Sequence, residues 1–203
     1  MTEALVPPEP QQLCQQLFRD LADAAASADH PLRLVTLSTI HDNSARARTV
    51  VLRQVNPDAG SVLIHTDARS GKIEQINRNP HGCLLAWDPS RQMQLILSGS
   101  FSVHTADDVA DALWQASPPA SLRACLAPAA PGTVAAGPDC NLPESLRGRI
   151  PDASELQAGR SNFAAIRLQI ESIEWLQLHR NGHLRLKLQL LCGRLVRAEW
   201  LMP

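Results

Sequence analysis

From Asn162 to Leu191 apolar and polar residues alternate through NFAAIRLQIESIEWLQLHRNGHLRLKLQLL, in two runs that flank Asn181-Gly182. A period of two places successive side chains on opposite faces of a strand, and Asn-Gly between two such runs is the strongest short turn signal. The chain therefore closes with an antiparallel hairpin whose apolar face needs a second layer to cover it. Face consistency selects the loop. A loop of Asn181-Gly182 alone sets Leu176 against Lys187 and Leu178 against Arg185, which mixes apolar and charged residues on both faces. A loop of Arg180, Asn181 and Gly182, with glycine in the left-handed position, pairs Leu178 with Leu184 and Leu176 with Leu186. The other face then carries Trp175 opposite Lys187, Gln177 opposite Arg185 and His179 opposite His183, a cationic surface with one large aromatic at its far end.

The preceding chain reads as more of the same architecture. Leu13, Leu17 and Leu21, spaced by four, predict a helix over roughly 10–28. LRLVTLSTI and ARTVVLRQV, joined by the turn HDNSA, predict a hairpin, and SVLIHT after Asn56-Pro-Asp-Ala-Gly60 adds a third strand. Ser70 introduces a short helix, GKIEQINRN, closed by Pro80. Strands at Cys83–Trp87 and Gln92–His104 follow, then a helix in ADDVADALWQA. Residues 117–160 hold seven of the 15 prolines and four of the 10 glycines, which predicts a long irregular segment. The expectation is a single domain over 1–203, mainly β with flanking helices, with a helical N-terminal arm over 1–30.

Composition narrows the function. With 203 residues, 44% of them apolar, the chain can bury a core without staples. Nineteen Lys and Arg against 20 Asp and Glu give a net charge of −1, so no basic field gathers nucleic acid. Five cysteines, at 14, 83, 125, 140 and 192, form no C-x-x-C pair and suit reduced thiols, which predicts a cytoplasmic protein. The start MTEALVPPEPQQ lacks a basic segment leading into an apolar one, and no run approaches membrane-spanning length, so neither export nor membrane insertion is expected.

Among chemistry-bearing residues, Arg48, Arg53 and Lys72 fall near Ser70 at a helix start, where free backbone N–H groups and cations suit a phosphate monoester. Arg48 and Arg53 have opposite strand parity, which leaves open that one of them faces only solvent. His179 and His183 have no carboxylate or thiolate partner at metal-ligand spacing, so no metal is expected. No G-x-S-x-G elbow, dinucleotide loop or Walker loop is present.

The runs RTVVLR, HTDARSGKIEQINRNP, AWDPSRQMQLILSGS, IEWLQL and RAEWLMP, in that order, resemble the pyridoxamine 5′-phosphate oxidase family of FMN-binding proteins. The resemblance covers about 32–104 and 163–203. It implies a six-stranded antiparallel split β-barrel and a homodimer with FMN in clefts at the subunit interface. By the same resemblance Arg48, Thr49, Val50, Val51, Leu52 and Arg53 form the strand along the flavin, with Arg48 at its phosphate. His65 and Thr66 are a further contact pair. Ser70, Gly71 and Lys72 form the phosphate end, with Gly71 where the oxidases often carry a second cation. Gln92 matches a side chain at the isoalloxazine edge, and Trp175 and Lys187 match residues supplied across the interface.

The substrate side departs from the oxidases. Arg53 keeps the first substrate-phosphate cation, but Trp114 stands where they have Tyr and Pro118 where they have Arg, while His183, Leu184 and Arg185 reverse their Arg-x-His order. The resemblance thus implies an FMN-dependent oxidoreductase acting on a small molecule, with Arg53, His183 and Arg185 as substrate contacts. A true pyridoxamine or pyridoxine 5′-phosphate oxidase, and a non-catalytic FMN-binding or sensor protein, are the alternatives.

Overall fold

The computed structural model describes residues 6–203. The leucine stripe forms α1 (Pro10–Ala26), opened by Pro10 and capped by Glu9, whose carboxylate accepts from the Gln12 amide at 2.7 Å. Leu17, Phe18 and Leu21 are buried in the main core, so α1 is a docked element rather than an arm. Residues 1–5 of the expected arm lie outside the described residues.

The strands follow as β1 (Leu34–His41), β2 (Ser44–Asn56), β3 (Ser61–Asp67), β4 (His81–Asp88) and β5 (Met93–His104), with α2 (Gly71–Arg78) between β3 and β4. Asp42 and Asn43, at φ 47° and 60°, form the tight turn between β1 and β2 that the sequence HDNSA promised. After α3 (Asp108–Ala116), α4 (Pro119–Leu122) and α5 (Ala153–Gln157) come β6 (Phe163–Gln177), β7 (Leu184–Leu191) and β8 (Arg194–Leu201). The strand order is β3-β2-β1-β4-β5-β6-β7-β8, and β3 also pairs with β6. That extra pairing closes β1 to β6 into a six-stranded antiparallel barrel and removes its free edges.

The length of β6 makes this possible. Its first half, 163–169, pairs with β3, and its second half, 172–177, pairs with β7, while β5 runs along the other side. The β5–β6 register slips at Ser98/Gly99, where a Cβ on Gly99 would lie 1.9 Å from the Gln169 carbonyl oxygen, so only glycine fits the bulge.

The terminal hairpin exists, but its register is one residue away from the expected one. Trp175 pairs with Leu186, Leu176 with Arg185 and Glu174 with Lys187. Ile173, Trp175, Leu186 and Leu188 all point into the core, and Trp175 is only 5% exposed. Trp175 and Lys187 therefore sit on opposite faces. The register that prevails buries whole apolar pairs and leaves Glu174 and Arg185 outside, where they form a 2.6 Å ion pair. The strand β8 was not anticipated. Its turn, Cys192-Gly193 at φ 47° and 75°, is a tight hairpin turn without the usual Asn.

The segment 117–160 is less irregular than its composition suggests. It carries α4, α5 and helical turns at Arg123–Leu126 and Glu144–Leu146. Leu122, Cys125 and Leu156 pack with Trp114, Leu63 and Phe163 in a second apolar cluster on the outer face of β3 and β6. Arg69 pins the segment by donating to the carbonyls of Ala127 (2.8 Å) and Pro128 (3.2 Å), and an Asp152–Glu155 capping box closes the start of α5.

Candidate functional site

Two polar features lie beside β2. At its start, Arg48 projects toward α2 and donates to Thr39 Oγ1 at 2.7 Å and Gln75 Oε1 at 2.6 Å. At the first turn of α2, Lys72 Nζ donates to Thr66 Oγ1 at 2.8 Å and Ser70 Oγ at 2.6 Å. Ser70 is the residue that begins the helix, yet its hydroxyl does not cap it. Among the described residues neither Arg48 nor Lys72 forms an ion pair. Burial lowers the Lys72 ammonium below its ordinary value and the charge of Arg48 lowers it further, with Asp67 opposing. Burial and Arg46 likewise lower Arg48. Two half-buried cations that destabilise each other, beside a helix N-terminus, leave a positive potential with no carboxylate paired to it. That is the environment a phosphate dianion stabilises, so the residues present fit the phosphate end of FMN.

The strand between these cations and the second feature divides by face. Val50 and Leu52 are buried in the core, whereas Thr49 is exposed and Val51 half-buried. Gly71 is exposed at the helix start, where a Cβ would meet only the Gln75 side-chain nitrogen at 3.9 Å among the described residues. Gln92 is exposed at φ 53° in the β4–β5 turn, and its carbonyl accepts from the Leu178 amide at 3.0 Å.

The second feature begins where the β2–β3 register slips between Leu52 and Gln54, which makes Arg53 the bulged residue. Arg53 lines a pocket of about 220 Å³ together with His65, Arg33, Ser117, Pro118 and Ser121. Arg53 Nη1 donates to Ser121 Oγ at 3.2 Å, while its Nε and both ring nitrogens of His65 are buried without partners among the described residues. Burial, then the charge of Arg53, lowers His65 to about 4. His65 also meets Phe163 edge-on at 5.0 Å. Trp114 turns away into the second apolar cluster, 5.4 Å from Phe163, and Pro118 offers the pocket no donor. Arg123 donates instead to the Arg149 carbonyl. His183 accepts from the His179 amide at the hairpin tip and Arg185 is held by Glu174. Neither lines the Arg53 pocket.

His65 and Thr66, adjacent on β3, thus serve different features. Thr66 belongs to the Lys72 cradle and His65 to the Arg53 pocket. Gln75 was not singled out from sequence. It is an ordinary helix residue until the fold sets it against Arg48. Among the described residues no group of three or more His, Cys, Asp or Glu side chains could hold a metal ion, and no helix is long and apolar enough to cross a membrane.

Residues 14–105 match the family model described as "Pyridoxamine 5′-phosphate oxidase, FMN-binding domain". No curated protein matches the sequence. Among solved structures, the chain is similar to a pyridoxamine 5′-phosphate oxidase-related, FMN binding protein from Nostoc punctiforme PCC 73102, with a TM-score of 0.69 and 19% identity over 99% of this chain and 100% of that one. It is similar also to PhzG from Burkholderia lata 383, solved in complex with tetrahydrophenazine-1-carboxylic acid, with a TM-score of 0.66 and 17% identity over 99% and 98% of the two chains. A protein related to general stress protein 26 from Clostridium acetobutylicum gives a TM-score of 0.52 at 11% identity, over 86% of this chain and 94% of that one. The closed barrel, the family-model match across α1 to β5 and the whole-chain structural likeness agree on the fold: this chain is a split barrel, and its residues 14–105 are similar to the pyridoxamine 5′-phosphate oxidase FMN-binding domain.

Proposed function

We propose that the protein is an FMN-binding flavoprotein and an oxidoreductase acting on a small molecule. The observation that carries this reading is the Arg48–Lys72 cradle, two half-buried cations without an ion-pair partner among the described residues at the N-terminal end of α2. Arg48, Lys72 and the first-turn N–H groups would hold the FMN phosphate, with Thr66 and Ser70 orienting Lys72. Thr49 and Val51, on the outward face of β2, and Gln92, in the β4–β5 turn, would face the ring. FMN when bound supplies two-electron chemistry, accepting a hydride from a substrate; the protein contributes position and electrostatics.

The working unit on this reading is a homodimer in the cytoplasm with FMN at the subunit interface. Lys187, on the outward face of the terminal hairpin beside Arg185, is then the carried-over residue free to be presented to a second protomer, since Trp175 is core. The meeting of Arg53 with Ser121 supports an anion-bearing substrate and keeps a true vitamin-phosphate oxidase as the second reading. A flavin-binding protein without turnover is the third.

The absorption spectrum of the purified protein tests the cofactor. A flavin spectrum is expected, and heat should release FMN. Release of FAD, or no affinity for added FMN at micromolar concentration, would overturn the reading.

A further inference from the structure

Two side chains that line the pocket at the β2 bulge carry three buried polar atoms with no partner among the described residues: Arg53 Nε, His65 Nδ1 and His65 Nε2. Buried polar atoms without a partner carry a desolvation cost that a bound ligand removes, and here they meet at one cavity. Among the described residues no Asp or Glu lines it. Its charge comes from Arg53 and Arg33, and Arg33 is tethered from Nη1 to the carbonyls of Ala24, Ala25 and Ser27 at the end of α1. The Ser117 hydroxyl is likewise committed, to the Leu113 carbonyl at 2.6 Å.

We infer that this pocket receives a carboxylate on the substrate, held by the Arg53 guanidinium, the Ser121 hydroxyl and an N–H of His65. It deepens the proposed function by naming a substrate class, and it rests on that reading for the claim that the bound acid is the molecule oxidised. A guanidinium presents parallel donors in a planar fork that a carboxylate matches two to two. A neutral imidazole adds one donor and one acceptor, and His65 is neutral at physiological pH because burial holds its pKa near 4. The donor set favours a carboxylate. The flavin cradle sets two cations and a helix terminus against the three oxygens of a dianion, whereas the pocket offers the Arg53 guanidinium, the Ser121 hydroxyl and one N–H of His65, a donor set sized to two oxygens. A volume of about 220 Å³ is roughly seven waters, room for a carboxylate on a small ring or short chain.

Titration calorimetry of the FMN-loaded protein with benzoate and with phenyl phosphate tests this, together with NMR of the His65 ring. Benzoate should bind, shift the His65 ring resonances and raise the pKa of that ring, while phenyl phosphate binds no more tightly. Arg53→Gln should weaken benzoate by about tenfold or more and Ser121→Ala by roughly threefold, the scale of a charged and a neutral hydrogen bond. If Arg53→Gln does not fold, Ser121→Ala and the wild-type His65 signals still decide. No response of His65 to millimolar benzoate, binding indifferent to Ser121, or phenyl phosphate about tenfold tighter than benzoate would overturn the assignment. The same titration on FMN-free protein separates the two claims. Benzoate binding in a protein without affinity for FMN would retain the pocket and remove the flavin reading; FMN binding with no benzoate site would do the reverse.

Discussion

The Arg48 guanidinium donates to Gln75 Oε1 at 2.6 Å, so an arginine on β2 is aimed by a side chain on α2. The same oxygen accepts from Thr39 Oγ1 at 2.6 Å, which ties β1, β2 and α2 together directly beneath the cradle. In Gln75→Leu the arginine keeps its charge but loses its guide. FMN affinity should fall by about 0.5–1.5 kcal/mol, the value of a neutral hydrogen bond, against about 1.5–3 kcal/mol for Arg48→Ala or Lys72→Ala. Flavin fluorescence titration of the three variants reads the order directly, and wild-type affinity in both cation variants would place the phosphate elsewhere.

Trp175 separates packing from cofactor contact. Its side chain lies between Ile173 and the β7 leucines, 5% exposed. Trp175→Ala should cost about 3–5 kcal/mol of stability in chemical denaturation, and Trp175→Phe much less, with FMN affinity retained in the latter. A large loss of FMN in Trp175→Phe at unchanged stability would restore the residue to the flavin site.

Sedimentation of the purified chain is expected to give a dimer. A monomer that holds FMN tightly would show that the whole site is built from one chain, and Lys187 would then have no role in it.

Asp88 sets an acid limit. It is 1% exposed at the end of β4, and although burial works against its charge, hydrogen bonds from Ser90 and Arg91 hold it down to about 2. Arg91 continues to Asp20 on α1 at 2.5 Å, so the carboxylate anchors the helix to the barrel. A carboxylate with a depressed pKa stabilises the fold above its ordinary value of 3.8, and that contribution fades as the pH falls toward 2. It amounts to roughly 2 kcal/mol. Asp88→Asn should therefore be destabilised at neutral pH and converge on the wild type as the pH falls to about 2 in urea unfolding; parallel curves at every pH would show that the charge is irrelevant.

Pyridoxamine and pyridoxine 5′-phosphates should be poor substrates. Trp114 is packed against Phe163 and Pro118 contributes no donor, so two of the partners that the oxidases offer that phosphate are missing. An affinity loss on the order of 10³ follows from the loss of two such partners. Oxygen consumption with FMN-saturated protein measures it, and ordinary turnover at micromolar substrate would promote the vitamin-phosphate oxidase.

The local patterns in this sequence determined local structure. The spacing of Leu13, Leu17 and Leu21 made α1, Asp42-Asn43 made the β1–β2 turn, and Ser70-Gly71-Lys72 placed a cation at a helix start, because each depends only on nearby residues. Tertiary structure decided the rest. The hairpin register followed from which apolar pairs the barrel core would bury, not from the turn, and it moved Trp175 from one face to the other. Barrel closure depended on β3 finding β6, about a hundred residues away, a pairing that alternation alone cannot specify. The Arg53 pocket needed a bulge in β2, His65 on β3 and Ser121 from a segment without periodicity. Pattern in a sequence reports which way a side chain faces within its own element; which other element it meets is fixed only when the chain chooses the packing that buries the most apolar surface and strands the fewest charges.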